Sequence, residues 1–337
     1  MKQRIRTALK VLADPKRWTG YPVKPHLTHH DETDTGLPVT PLFTVERLNE
    51  SIRRTRDRFL NIQNEKGYWV FDLEADTTIP SEYILLQRFL GREIPGDLKM
   101  RFANYLRNRQ LESGGWPLYY EGEANVSTSV KAYFALKQLG DSPDAPHMVR
   151  ARAYVLAQGG AANTNVFTRI MLAIFGQIPW KTTPAMPIEI MLLPQWFFFH
   201  LNKISYWSRT VIVPLLILYA KRPVCCLASE ESISELFVSP VNELQHLDRF
   251  VPGSFFKNCF LLLDRSLKKV DPLMPRVLRK KGLKLAETWT RERMRGEGGI
   301  GAIFPAMANA VMALKVLGYP DDHPDVVRGM KAIEDML

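Results

Sequence analysis

Tyr105-Leu106-Arg107-Asn108-Arg109-Gln110-Leu111-Glu112-Ser113-Gly114-Gly115-Trp116 is the stretch on which the reading of this chain turns. Its first half has the mixed-charge pattern of an amphipathic helix, and its Gly pair ends that helix. Glycine enters the left-handed backbone region without the steric cost other residues meet, so it closes helices readily. The Trp beyond can fold back over the helix end, bury its ring and give its indole N–H to an acceptor. Upstream, Phe59-Leu60-Asn61-Ile62-Gln63 leads to Gly67-Tyr68-Trp69 in the same manner. Further along, Ala135-Leu136-Lys137-Gln138-Leu139-Gly140 returns as Ala313-Leu314-Lys315-Val316-Leu317-Gly318. A unit that recurs like this is one supersecondary element stacked on copies of itself.

Each unit reads as two helices. Charged, outer-type helices are expected near 44–63, 97–110 and 146–158, the last closing at Gln158-Gly159-Gly160. More apolar, inner-type helices follow near 80–90, 126–139 and 164–175, ending at Gly91, Gly140 and Gly176. This alternation predicts an all-α fold, an α–α barrel with concentric inner and outer rings. A degraded unit comes late: Trp289 begins it, Met294 stands for Gln, and Gly298-Gly299-Ile300 stands for Gly-Gly-Trp. Its inner helix, Ala306 to Gly318, is intact, and Asp325 to Leu337 is outer-type. The expected organisation is a basic segment and Pro-rich linker over 1–43, then a barrel over 44–337 that a further segment or partner completes.

The formal net charge of +10 over 337 residues favours an anionic partner. No Lys/Arg run interleaves with aromatics, so a membrane surface is expected and nucleic acid is not. Cys225, Cys226 and Cys259 have no metal-ligand spacing and read as reduced thiols of an intracellular protein. Met1 to Ala13 lacks the apolar segment of a signal peptide, and the apolar runs fall short of the roughly 20 residues a span needs. The expected location is peripheral, on the cytoplasmic side of the membrane. His26, His29 and His30 beside Asp31 sit in the linker, where a tail is expected rather than a metal site. Asp72-Leu73-Glu74-Ala75-Asp76 has two readings: a magnesium–diphosphate cluster, or an acidic flank that caps the next helix. Without a second acidic cluster, the flank is favoured.

Residues 177–253 interrupt the repeat with Pro179, Pro184, Pro187, Pro194 and Pro214 among apolar runs that include Trp196-Phe197-Phe198-Phe199. Pro223 to Pro252 reads as a long surface connection. Ser254 to Lys269 then places Phe255, Phe256, Phe260, Leu263 and Leu267 at helical spacing, beside the cations of Leu273 to Leu285. An apolar face next to a basic surface is what a helix lying in the headgroup layer needs; an ordinary helix packed on the barrel uses the same pattern. The membrane-facing insertion is expected over about 186–285.

The Gln…Gly-x-Trp units, Val166-Phe167-Thr168-Arg169 and Pro187-Ile188-Glu189-Ile190-Met191 together resemble the squalene–hopene cyclase family of triterpene cyclases, from about Thr44 onward. The resemblance implies a monotopic two-barrel enzyme that cyclises a linear C30 polyene without cofactor or metal, of which this chain is the N-terminal portion. It also implies that Trp207 lines the cyclisation cavity, that Glu82 lies at its edge, and that the Ile303-Phe304-Pro305 turn reaches towards substrate. Lys131 and Asn165 depart from the family, standing where some relatives carry an acid and a base.

Protonating a terminal alkene needs a carboxylic acid kept protonated in an apolar cavity. Aromatic faces must then stabilise successive carbocations, at about 2 kcal/mol or more per desolvated contact. The family's acid lies in an Asp-x-Asp-Asp motif that this sequence lacks; Asp321-Asp322-His323 is a turn between repeats. No catalytic residue is therefore assigned, and a complementary C-terminal cyclase chain is the expected partner. The alternative is a module that binds apolar lipid or a membrane surface without chemistry.

Overall fold

The computed structural model describes residues 44–65, 67–69, 76–241, 244, 252–296 and 298–337. The basic N-terminal segment, the linker histidines and Asp72 to Ala75 lie outside them. Two compact units divide at Asp76.

The described part of the first unit is α1, Val45–Ile62, capped by Thr44, whose hydroxyl accepts the Arg47 N–H. Its turn has the geometry the repeat requires. Gln63 Nε2 donates to the Gly67 carbonyl at 2.9 Å, and Trp69 Nε1 donates to the Phe59 carbonyl at 2.7 Å.

Among its described residues the second unit has, besides helices and turns, a two-residue antiparallel pairing of β1 (Trp116–Pro117) with β2 (Ala124–Asn125). Its helices are α2 (Thr78–Leu90), α3 (Gly96–Asn108), α4 (Val126–Gln138), α5 (Pro146–Ala157), α6 (Val166–Ile174), α7 (Tyr206–Lys221), α8 (Phe255–Val270), α9 (Arg276–Arg293), α10 (Phe304–Val316) and α11 (Pro324–Glu334). The expected outer and inner segments fall on these helices to within a few residues. Pro214 lies inside α7, not at its end. It has no N–H to offer the preceding turn, and tertiary packing carries the helix through.

Burial sorts the helices into two layers. α3, α5 and α9 each bury a single stripe: Phe102, Ala103 and Leu106; Met148, Ala151 and Val155; Gly282, Ala286 and Thr290. In contrast, α4 buries every residue from Ser127 to Leu136. A helix buried all round belongs to the inside of an assembly. The inner helices pack side by side in the order α6, α4, α2, α10, α7; α3 and α5 back α4, α11 backs α10, and α9 backs α7. The two ends of this row approach each other where Cys225 N–H, just past α7, donates to the Ile174 carbonyl at the end of α6 (2.7 Å). The small stripe of α9 permits a close approach, since a Cβ at Gly282 would lie 2.9 Å from the Ile188 carbonyl oxygen.

The central turn repeats that of α1. Gln110 Nε2 donates to the Gly114 carbonyl (2.8 Å), and Trp116 Nε1 donates to the Leu106 carbonyl (2.7 Å). Gly114 holds φ +89°, and a Cβ there would lie 2.5 Å from the Arg150 carbonyl oxygen, so the position admits only glycine. In the degraded unit Ile300 is buried in place of a Trp, without an indole N–H to donate. Successive outer helices are also tied by one device: an Arg near the end of one grips an acid in the lead-in or first turn of the next. Arg107 pairs with Asp141, which also takes His147 Nε2 at 2.6 Å, and Arg291 pairs with Asp325 at 2.7 Å.

The connection after α7 is not simply a surface loop. Ile233 and Leu236 are buried, and the acids between them and Ala228 clamp inner helices. Arg88 of α2 pairs with Glu231 (2.7 Å), while Lys137 and Tyr133 of α4 reach Glu235 (2.6 and 2.8 Å). Gln177 Oε1, past α6, accepts from Ser232 Oγ and Ile233 N–H, both at 2.9 Å.

Candidate functional site

The cross-links between inner helices fix their directions. Glu82, early in α2, meets Lys131 of α4, while the later Arg88 and Lys137 both meet the 229–236 connection. Asn165, the N-cap of α6, donates its N–H to Ser127 Oγ in the first turn of α4 (2.9 Å), and Gln177 beyond α6 joins the same connection. The first turn of α7 meets the turn before α10, since a Cβ at Gly301 would lie 2.4 Å from Thr210 Oγ1. The inner helices thus run parallel, and their N-terminal ends gather on one side of the layer.

Every residue to which sequence assigned a substrate contact lies at that end. Glu82 and Lys131 form an ion pair of 2.5 Å, with the Lys131 ammonium almost wholly buried. Asn165 works as a cap, its Oδ1 accepting the Thr168 N–H at 2.9 Å. Trp207 projects from the first turn of α7 with 58% of its surface exposed. Tyr206, Phe198 and Trp196 are exposed close to it in sequence. Ile303 is the N-cap of α10 and half-buried; Phe304 is packed in the core, only 4% exposed, and Pro305 is half-buried. Thr210 Oγ donates to the Trp207 carbonyl at 2.6 Å, so the Trp207 turn and the 303–305 turn share one contact through Thr210 and Gly301.

The structure pairs Glu82 with Lys131, which sequence reasoning had treated separately. A signal for the pairing exists: each is one of only two charged residues in an apolar inner helix, and a buried charge needs a counter-charge. No comparable signal marks the 229–236 clamp, whose partners lie 93 to 143 residues away. Asp76 Oδ1 accepts both the Thr78 N–H (2.8 Å) and the Thr78 hydroxyl, which gives the end of that acidic stretch a capping role.

The membrane-contact candidates separate into two groups. Phe255, Phe256, Phe260 and Leu263 are exposed on α8, Phe255 by 73%. Leu267 instead turns inward and lines a cavity. α8 is held from its other face, where Asp264 accepts the Ala185 N–H (2.5 Å) and pairs with Lys268 (2.8 Å). Leu273 and Val277 extend the exposed apolar surface beside Arg276 and Lys280. Among the described residues no helix is long and apolar enough to cross a membrane.

Comparison with known proteins agrees with this geometry. A family model described as the squalene–hopene cyclase N-terminal domain matches residues 52–337. The chain is 46% identical over 287 residues to a squalene–hopene cyclase of Zymomonas mobilis, covering 85% of this chain and 43% of that protein. It is 45% identical over 293 residues to one of Bradyrhizobium diazoefficiens, covering 87% and 44%, and 32% identical over 287 residues to a dammaradiene synthase of Dryopteris crassirhizoma, covering 84% and 41%. The chain thus spans a little under half the length of the relatives it matches. Repeated Gln-Gly-Trp turns, paired helical layers and a match running from the first described helix to Leu337 place the chain in the squalene–hopene cyclase N-terminal domain family.

Proposed function

We propose that this chain forms the N-terminal part of a squalene–hopene-type cyclase and lends its parallel inner helices, closed into an α–α barrel, to a cavity that folds a squalene-like polyene. The gathering of Trp207, Glu82 and the 303–305 turn at one end of the inner layer, in a chain of this family, carries the reading. In this role Trp207 offers an aromatic face to developing positive charge. The Glu82–Lys131 pair fixes the polar edge of the cavity, and a rigid charge pair beside apolar walls orients substrate without reacting. The proton must come from elsewhere: no Asp-x-Asp-Asp occurs in these residues. The 337-residue protein incubated with squalene in detergent is expected to give no hopene; mixed with a C-terminal half that carries the motif, it is expected to give product. Hopene from the 337 residues alone would refute the proposal.

The same reading seats the protein on the cytoplasmic face of the membrane through α8. Phe255, Phe256, Phe260 and Leu263 form its apolar face, and Lys257 and Lys269 on the same helix suit anionic headgroups. In vesicle sedimentation, binding is expected to rise with anionic lipid. The double variant Phe255→Glu/Phe256→Glu is expected to lose about tenfold or more, since each buried ring contributes about 1.5–3 kcal/mol. Unchanged sedimentation would instead favour a helix held by protein contacts. Membrane binding together with no product in any mixture would favour the module without chemistry.

A further inference from the structure

At the C-terminal end of α8 lies a partly open cavity of about 280 Å³ that neither the polyene reading nor the membrane face uses. It is set between Trp180 to Ile188, the last turn of α7 and the start of α9. Its floor is apolar, formed by Trp180, Met186, Ile188 and Leu267, and four cations line it: Lys181, Arg222, Lys268 and Arg279.

Three carboxylates answer these four cations. Asp271 pairs with Arg222 (2.6 Å) and Arg279 (2.5 Å), Glu189 pairs with Arg279 (3.1 Å), and Asp264 pairs with Lys268 (2.8 Å). Lys181 has no carboxylate partner among the described residues. Arg222 spends one nitrogen on Asp271 and keeps further donors of its fork. It also holds φ +48°, a conformation that suits glycine at a helix end, so the site carries an arginine where the backbone favours another residue.

Tyr219 adds a second, independent sign. The residue is 7% exposed, lines the cavity, and its hydroxyl finds no hydrogen-bond partner among the described residues. Thr183 lies beside it; the Thr183 hydroxyl donates to the Trp180 carbonyl at 2.8 Å, and its oxygen is the neighbour left to accept from the phenol. Burial pushes the Tyr219 phenol up to about 12, so it keeps its proton and remains a donor. A buried phenol donor at the wall of a cavity that carries more cations than carboxylates fits a ligand that brings anionic oxygens.

We propose that this cavity binds a phosphate group, with an apolar chain against the Trp180–Leu267 floor when the phosphate belongs to a lipid. Arginine forks match phosphate oxygens in pairs, and Lys181 and the Tyr219 hydroxyl supply further donors. The apolar floor favours the lipid form over free phosphate. The site lies about three helical turns from Phe255 along α8, so binding there is separable from the exposed aromatic face.

The test uses the whole protein and three probes: lysophosphatidic acid below its micelle concentration, lysophosphatidylcholine of the same chain length, and inorganic phosphate, followed by titration calorimetry. Lysophosphatidic acid is expected to saturate one site and to bind about tenfold or more tighter than the choline form, which adds a compensating positive charge. Lys181→Glu, at an exposed position, is expected to weaken it about tenfold, and Tyr219→Phe about threefold. Phe255→Glu is expected to leave it unchanged. Displacement by inorganic phosphate only at much higher concentration identifies a lipid site; comparable affinity for inorganic phosphate identifies a free-phosphate site. Equal binding of the two lysolipids, no saturation by any probe, or indifference to Lys181→Glu would overturn the proposal.

Discussion

Replacing Trp116 by Ala is expected to destabilise the second unit by about 3–5 kcal/mol, read as the midpoint shift of urea unfolding followed by circular dichroism. The ring is fully buried, and its indole donates to the Leu106 carbonyl, so the substitution empties a large volume and removes a hydrogen bond together. The backbone N–H of residue 116, which donates to Ser129 Oγ at 2.9 Å, keeps its partner in the variant. Trp116→Phe keeps most of the apolar burial and loses the donor, so about 1–3 kcal/mol is expected. Trp69→Ala, where the ring is exposed, is expected to have a smaller effect despite the identical bond to Phe59. Equal effects at 69 and 116 would show that the turn hydrogen bond, and not burial, dominates.

Glu235→Leu is the second large effect, expected at about 3–5 kcal/mol because it strands a buried ammonium. The Lys137 side chain is 7% exposed, and its partners are Glu235 and the Ser232 carbonyl. The double variant Lys137→Met/Glu235→Leu is expected to regain most of the loss, as apolar replacement of both partners often does. If the double variant is as unstable as the single one, Lys137 is not what the glutamate serves.

The same acid predicts a pH dependence. Burial pushes the Glu235 carboxyl up, but hydrogen bonds from Lys137, its own backbone and Tyr133 outweigh this, so it titrates below the ordinary range. Asp141 and Asp325 behave alike: burial opposes them, and Arg107 with His147, or Arg291, prevails. A carboxylate depressed in the folded state contributes stability fully above its unfolded value of about 4, and that contribution is lost as pH falls through the folded value. Stability is therefore expected to hold above about pH 6 and to decline below about pH 4, with a shallower decline in Glu235→Leu.

The parts legible in the sequence were those encoded locally. Gln110, the Gly pair and Trp116 specify their turn within a dozen residues, and the same register recurs at Gln63 and Trp69. Mixed charge over 146–158 and the closing Gln158-Gly159-Gly160 announced an outer helix, whose buried stripe is Met148, Ala151 and Val155. Pro214 misled because its helix is held by packing on α10 and α9, which no window around residue 214 contains. The 229–236 connection read as surface because its residues are largely polar; Glu231 and Glu235 find their partners in Arg88 and Lys137, far away in sequence. The candidate site was half legible: Trp207 and the 303–305 turn came by resemblance. Their joining through Thr210 and Gly301 required the fold.

That junction has a consequence for how such a cavity can vary. Gly301 leaves room for a hydrogen atom and nothing larger against the Thr210 hydroxyl, so the spacing between the two segments has no soft adjustment. On the proposed reading, a change in the width of the hollow must then come from the exposed side chain at 207, since Phe304 is already packed into a frame that does not yield. The backbone there acts as a fixed gauge, and position 207 is its interchangeable jaw.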